Sequence, residues 1–487
     1  MSIERLIFEK SAVGRRAVVF PELDVPALPL ESLIPAGQRR ETPLGLPEVS
    51  QQDLVRHYTR LSSRNTGIDT QMVPLGSCTM KYNPKINEDM AARDGFRNLH
   101  PYQDDSTVQG ALEVLFELEH WLREISGMDA VSLQPTAGAQ GELCALLVAR
   151  AYHDSKGRKP RVVLVPDSSH GTNPASASYC GYTVETVNSL ADGTVDLADL
   201  KSKINENVAC LMMTNPNTVG IFEKDISTVA AWLHEVDAQL YYDGANLNAI
   251  CAIARPGDMG CDMMHFNVHK TFSTPHGAGG PGAGPIGVKK HLQPFLPVPR
   301  VLKTAEGYHL DFKNFPQSIG RIRSFYGNFG ILLRALVYLR SFGGDHLADI
   351  AKGAVLNANY LQALLAPHFA TPYGTPCMHE FVLSLSKQKR DKDCGALDFA
   401  KRLADHGYHA PTIYFPLIVP EAMMIEPTET ESRETLEAFA AALIAIDEEA
   451  SKDPEILHAA PVNTPVGRLD EANAARKPVL RWTPGIS

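Results

Sequence analysis

Much that would announce a familiar function is missing from this chain of 487 residues. Its eight cysteines include no Cys-x-x-Cys pair, and Cys251 and Cys261 lie too far apart for a zinc knuckle. A disulfide framework and a bound metal are therefore not expected, and most of the thiols should be reduced and buried. Positive charge is in deficit, with 46 Lys and Arg against 56 Asp and Glu, a net charge of −10. A nucleic-acid footprint needs clustered basic residues, so no nucleic-acid partner is expected. Small anions stay open as ligands, because a helix start binds them whatever the net charge. No apolar run approaches membrane-spanning length, and no cationic-then-apolar leader opens the chain. Glu4 and Glu9 accompany Arg15 and Arg16, unlike an acid-poor transit peptide. A cytoplasmic protein with no membrane attachment is expected. The sequences G-x-x-x-x-G-K-[ST], His-Glu-x-x-His and Gly-x-Ser-x-Gly do not occur, nor do repeats or low-complexity tracts.

What the chain does have is alternation. Residues 1–70 carry prolines at 21, 26, 29, 35, 43 and 47 with little periodicity, which predicts an extended arm packing on a neighbour, with a helix over 51–63. Met72–Pro84 follows as a loop. Val108–Ile125 and Glu142–Tyr152 have apolar residues at helical spacing. Short apolar strands are expected at Val162–Val165, Thr183–Val187, Ala209–Met213, Leu240–Tyr242, Met264–Val268 and Ile286–Val288, with helices between several of them, such as Ser227–Ala238. This predicts an α/β fold, a mainly parallel central sheet with helices on both faces, spanning 71–340. A helix over Gly330–Phe342 leads to a smaller C-terminal α+β domain, 341–487, with a strand at Phe381–Leu385 and a late helix whose stripe is Leu436, Phe439, Leu443 and Ile446.

Ligands of such sheets bind past the carboxyl ends of the strands, and four polar residues fall there: His170, Thr214, Asp243 and Lys270. Lys270, in His265-Phe266-Asn267-Val268-His269-Lys270-Thr271-Phe272, closes an apolar stretch; a sheltered amine there can carry an aldehyde cofactor as a Schiff base. By itself it could equally be a surface lysine. Asp243, in Tyr242-Asp243-Gly244-Ala245-Asn246, could pair with a protonated pyridine nitrogen or simply cap the next element. Ala245 could pack its methyl on the ring. His170, in Ser168-Ser169-His170-Gly171-Thr172-Asn173, could stack on the ring face or be a structural histidine. Thr136-Ala137-Gly138-Ala139-Gln140-Gly141-Glu142 runs into a helix, so the free N–H groups of Gly138, Ala139 and Gln140 make a phosphate cradle, unless this is an ordinary glycine-rich turn. Acid, histidine and lysine in this arrangement make a pyridoxal-phosphate (PLP) pocket. Gly277-Ala278-Gly279-Gly280-Pro281-Gly282 matches G-x-G-x-x-G, but Pro281 interrupts it and a strand follows, so it is rejected as a dinucleotide site.

These runs, with Asn246-Leu247-Asn248, Pro74-Leu75-Gly76-Ser77-Cys78-Thr79-Met80-Lys81 and the late Arg468-Leu469-Asp470-Glu471 and Leu480-Arg481-Trp482, closely resemble the decarboxylating glycine dehydrogenases, the P-proteins of the glycine cleavage system. The resemblance runs from about residue 70 to the end and is to the second, PLP-bearing half of the long-chain form. Thr136 stands where Asn is expected in many relatives, which leaves the backbone cradle intact. The resemblance implies the aspartate-aminotransferase-like (fold type I) architecture. It also implies decarboxylation of glycine with transfer of the aminomethyl group to the oxidised lipoyl group of the H carrier protein. The implied site is Lys270, Asp243, Ala245, His170, Gly138, Ala139, Gln140, Thr214 and Asn246, with Lys270, His170 and His269 catalytic and either Lys270 or His269 moving protons. The implied partner is the first P-protein subunit, two copies of each chain. The other readings are a different fold-type-I PLP enzyme, such as an aminotransferase or cysteine desulfurase, and a catalytically silent subunit.

Overall fold

A computed structural model describes residues 4–481 other than Pro43, Ala278 and Thr375. Two compact units are present, Met1–Thr66 with Val462–Ser487, and Gly67–Pro461. In the first, Ser50 accepts from the Asp53 N–H at 3.1 Å and starts the helix Gln51–Ser62, while Ala12 N donates to Glu48 O at 2.9 Å. Around them the chain is extended, with Val19 81% and Phe20 86% exposed.

The second unit is built on seven strands: β1 Ala130–Ser132, β2 Val162–Pro166, β3 Thr183–Val187, β4 Val208–Thr214, β5 Gln239–Asp243, β6 Met263–His265 and β7 Ile286–Val288. Their order is β1-β7-β6-β5-β4-β2-β3. All neighbours pair parallel except β7, which is antiparallel to both β1 and β6. Every residue of β4 and β5 is buried, as a sheet covered on both faces requires. The covering helices bury one stripe each. In Gln109–Ser126 the stripe is Leu112, Leu115, Leu118, Leu122 and Ile125, and the helix stops where Gly127, left-handed at φ 70°, returns its N–H to Arg123 O at 2.8 Å.

Three differences from the sequence reading have physical causes. β1 has three residues and shows no periodicity. The expected strand Met264–Val268 ends at His265, and Val268–Thr271 is a single helical turn, so Lys270 lies on a turn after the strand rather than at its end. The helix expected to end at Phe342 continues as Phe329–Leu365, bending at Gly343, whose φ of 65° and ψ of 170° are open to glycine.

Three more strands, β10 Phe381–Ser384, β11 Thr412–Ile413 and β12 Ala422–Ile425, form an antiparallel sheet in the order β10-β12-β11, after a two-stranded ribbon of β8 Arg300–Thr304 and β9 Gly307–Asp311. The helix Arg433–Lys452 packs Leu436, Phe439, Leu443 and Ile446 into the core beside this sheet, as its stripe predicts.

Candidate functional site

The carboxyl ends of β4, β5 and β6 set the floor of the site. Thr214 and Asp243 are register partners at the ends of β4 and β5, and both are buried. Asp243 Oδ1 accepts the Ala245 N–H at 2.9 Å, so the capping role holds, and Ala245 sits in the 3-10 turn Gly244–Ala249. The same oxygen lies 3.6 Å from His265 Nε2. The Thr214 hydroxyl is buried and has no hydrogen-bond partner among the described residues. Gly244 must be glycine, because a Cβ there would lie 1.8 Å from the His265 carbonyl.

Lys270 Nζ donates to the Ser77 carbonyl at 2.8 Å. The lysine is half-buried. His269 packs differently: Nδ1 is 3.1 Å from Ala283 O and 3.2 Å from Ala283 N, and its ring lies over Gly282, where a Cβ would come within 2.7 Å of Nδ1. Burial pushes its pKa down to about 3, with the Lys270 charge adding, so His269 is neutral at physiological pH. His170 is exposed, its ring 5.6 Å from that of Phe415, edge to face. Its Nδ1 accepts from Thr172 N at 3.2 Å. Although part of the side chain is exposed, desolvation by the surrounding protein lowers the His170 pKa, the Asp243 charge opposing this and the Lys270 charge adding to it.

The expected cradle is the start of the helix Gly138–Ser155. Its first backbone bond runs from Gly141 N to Ala137 O at 3.0 Å, which leaves the N–H groups of Gly138, Ala139 and Gln140 directed out of the helix. The Gln140 side chain is spent within the protein: Oε1 accepts from Thr136 N at 2.7 Å and from Thr136 Oγ1 at 2.9 Å. Close packing demands the glycines, since a Cβ on Gly138 would lie 2.4 Å from Asn267 Oδ1 and one on Gly141 2.7 Å from His265 Cβ. Gly277–Gly282 leads to strand β7 rather than to a helix, as the rejection of a dinucleotide site requires; Ala278 lies outside the described residues.

Asn246 differs from its expected cofactor contact in one respect. Its amide nitrogen donates to Pro216 O at 2.9 Å and Glu380 Oε1 at 3.1 Å, so this side chain braces the protein.

Several residues of the site escaped the sequence reading. His265 is buried under Asp243, its Nδ1 bonded to the Tyr241 hydroxyl and its Nε2 2.9 Å from Asn267 Nδ2. Glu142 accepts from Thr172 Oγ1 at 2.8 Å and Ser176 Oγ at 3.0 Å, and burial, with the Asp243 charge adding, raises its pKa to about 7. Arg323 donates to Asn328 Oδ1 at 2.9 Å, and Asn328 in turn donates to Thr136 O at 3.4 Å beside the cradle. Only the position of Glu142 at a helix start carried a sequence signal; the others come together through the fold.

The arrangement suits an aldehyde cofactor with a phosphate tail. The buried Thr214 hydroxyl awaits a polar partner, the helix start offers free donors beside glycines that leave no Cβ in the way, and an amine and a buried carboxylate share the floor.

The chain matches the family model of the glycine cleavage system P-protein over residues 25–394 and that of the glycine dehydrogenase C-terminal domain over residues 350–461. It is 56% identical over 480 residues to a probable glycine dehydrogenase (decarboxylating) subunit 2 of Oceanobacillus iheyensis, covering 98% of this chain and 99% of that one. A protein of the same name from Desulforamulus reducens is 54% identical over 482 residues, with 99% of each chain covered. Among solved structures, an inhibitor-bound glycine decarboxylase (P-protein) of the glycine cleavage system superposes with a TM-score of 0.72 at 23% identity, over 86% of this chain and 94% of that one. A NifS-like protein superposes with a TM-score of 0.58 at 13% identity, over 79% and 100%. These two share the fold, while the close relatives and the family models go further: the chain belongs to the P-proteins of the glycine cleavage system, among those named glycine dehydrogenase (decarboxylating) subunit 2.

Proposed function

We propose that this chain decarboxylates glycine with PLP and transfers the remaining aminomethyl group to the lipoyl group of the H carrier protein. The observation that carries the reading is the convergence of the Lys270 amine, the buried Asp243 carboxylate and the open helix start at Gly138 on the carboxyl end of one sheet. Bound at Lys270, PLP supplies an electron sink for the pair left when the carboxylate departs.

The protein's part is placement. Asp243 would pair with the pyridine nitrogen and favour its protonated form, and the N–H groups of Gly138, Ala139 and Gln140 would take the phosphate. The Thr214 hydroxyl would serve a polar edge of the ring, Ala245 would pack against it, and His170 would cover a face. Asn246 works at one remove, through Pro216 and Glu380. Lys270 Nζ donates to the Ser77 carbonyl at 2.8 Å, which would hold the amine when it is not bound to the cofactor. His269, neutral and held against Ala283, is poorly suited to carry a proton at neutral pH, which leaves that task to Lys270. In the net reaction the carbon–carboxyl bond breaks, its electron pair forms a carbon–sulfur bond, the lipoyl disulfide opens, and the second sulfur takes up one proton.

The partner is the first P-protein subunit, two copies of each chain, since closed two-fold assemblies are the commonest. The exposed apolar residues of the arm, Val18 to Leu33, support this, because a surface so apolar is stable only when covered. No described helix is long and apolar enough to cross a membrane. A cytoplasmic location is part of the same proposal. Exchange of labelled CO2 into the glycine carboxyl, with lipoylated carrier and the first subunit present, tests the reading. Transamination or desulfuration without such exchange would replace it with another PLP activity.

A further inference from the structure

Loop residues 75–82 are fastened to the C-terminal sheet region at alternate positions. Ser77 N donates to Glu380 Oε2 at 2.7 Å, the Thr79 hydroxyl donates to Glu426, and Lys81 Nζ donates to Glu429 Oε1 at 2.6 Å. The Thr412 hydroxyl holds Gly76 O at 2.8 Å, and Leu75 bridges to Ile425. Gly76 lies so close to β12 that a Cβ would sit 2.2 Å from the Met424 side chain. Ser77 itself is left-handed, at φ 63°, a conformation that a non-glycine residue keeps only where its surroundings over-determine it.

That backbone has two tasks at one residue. The Ser77 N–H is taken by Glu380, and the Ser77 carbonyl takes the Lys270 amine at 2.8 Å. The other oxygen of Glu380 accepts from Asn246 Nδ2 at 3.1 Å, three residues after Asp243. A single carboxylate, 0% exposed, thus ties the loop above Lys270 to the turn that follows Asp243. We propose that Glu380 is a positioning residue for Lys270, and that the Ser77 carbonyl it fixes is the acceptor that holds the lysine amine whenever that amine is not bound to cofactor.

The surroundings of Glu380 are unusual for a mere anchor. Glu426 is also buried, and His379 Nε2 lies 3.8 Å from Glu380 Oε1 and 3.9 Å from Glu426 Oε1. Burial pushes the His379 pKa to about 3, so it adds no positive charge. Burial holds Glu380 well above the carboxylate range, with the Glu426 charge adding, and raises Glu426 to about 7. Glutamine matches the shape of either glutamate, but only the change at 380 removes an acceptor from Ser77 or Asn246. A glutamine at 426 still has an oxygen for Thr79.

The inference rests on Lys270 being the cofactor lysine, and the experiment keeps the two apart. The complete chain with its first-subunit partner is stripped of cofactor and mixed with PLP, and covalent capture at Lys270 is followed by borohydride trapping over time, beside the equilibrium Kd. Glu380→Gln should slow capture by about 10- to 100-fold, the cost of leaving one buried N–H without its acceptor, with Kd for PLP within about threefold. It should lower kcat with little change in the KM for glycine. Glu426→Gln should capture at nearly the parent rate. Parent-rate capture by Glu380→Gln, or equal slowing by Glu426→Gln, overturns the proposal. So does a loss of PLP affinity and thermal stability together in Glu380→Gln, which would mark Glu380 as a plain structural residue. Should Glu380→Gln not fold, Asn246→Ala, which frees the other carboxylate oxygen, must slow capture, and a parent rate there overturns the idea equally. A parent complex that takes up no PLP would instead bring down the cofactor reading itself.

Discussion

Asp243→Asn separates two tasks of one side chain. Oδ1 of Asp243 accepts the Ala245 N–H at 2.9 Å and caps the turn Gly244–Ala249. An asparagine oxygen can accept the same bond, and Asn and Asp rank alike at such positions, so folding stability should change by less than about 1 kcal/mol. The second task, holding a proton on the cofactor's pyridine nitrogen, needs the charge. The neighbouring His265, 3.6 Å away and buried, cannot replace that charge, because an imidazole is neutral or cationic. Breaking a buried charge pair by removing one partner costs about 3–5 kcal/mol. At about 1.4 kcal/mol per tenfold in rate, CO2 exchange should fall by about two to four orders of magnitude. PLP should stay bound, because Lys270 and the helix start at Gly138 are untouched. The assay is labelled CO2 exchange beside thermal melting and the visible absorbance of the bound cofactor. Exchange within tenfold of the parent, at an unchanged melting temperature, would refute the argument and leave Asp243 as a cap alone. Asp243→Ala should lose the cap as well and melt lower, by about a further 1 kcal/mol of stability.

Borohydride reduction of the yellow protein should fix the pyridoxyl group to the peptide containing Lys270, and a label on any other lysine would end that assignment. His170→Ala should raise the PLP Kd by about 2- to 10-fold, the worth of one stacked ring, and an unchanged Kd would return His170 to a purely structural role. Glu142, raised to about 7 by burial with the Asp243 charge adding, keeps its proton in the folded state at pH values where the unfolded chain has lost it. Its contribution is present at low pH and is lost as pH rises from the ordinary carboxylate range through about 7, so Glu142→Gln should flatten the fall of stability over that window by about one proton. An unaltered slope in melts from pH 5 to pH 8 (a range of about three units chosen to span the window) would show that Glu142 is ionised in the fold. The chain alone should be inactive or nearly so and should co-purify with the first P-protein subunit, and full glycine cleavage by a lone monomer, checked by light scattering, would contradict the assembly.

The strands at the centre of the sheet were legible because both faces of β4 and β5 are covered, which makes them continuous apolar runs. Asp243, His170, Thr214 and the helix start at Gly138 were legible for a related reason: each directly follows an apolar strand or opens a helix, and such positions gather at one end of a parallel sheet. The local structure around the proposed lysine was not legible. Met264–Val268 is apolar enough to read as strand, yet β6 ends at His265 and the next residues turn, which puts the amine beneath Ser77.

What the sequence determined by itself, then, is the set of groups that sit next to a strand end or a helix start: the amine, the acid, the imidazole and the glycine-lined helix start, together with the fold class that collects them. What only the tertiary structure decided is how those groups are held. Glu380 lies 303 residues from Ser77 and 134 from Asn246 in the chain, and Glu426 lies 347 from Thr79. No local pattern relates such positions. A buried carboxylate takes its meaning from the donors that burial leaves it, and those donors are brought to it only when the loop, the sheet and the C-terminal strands have packed.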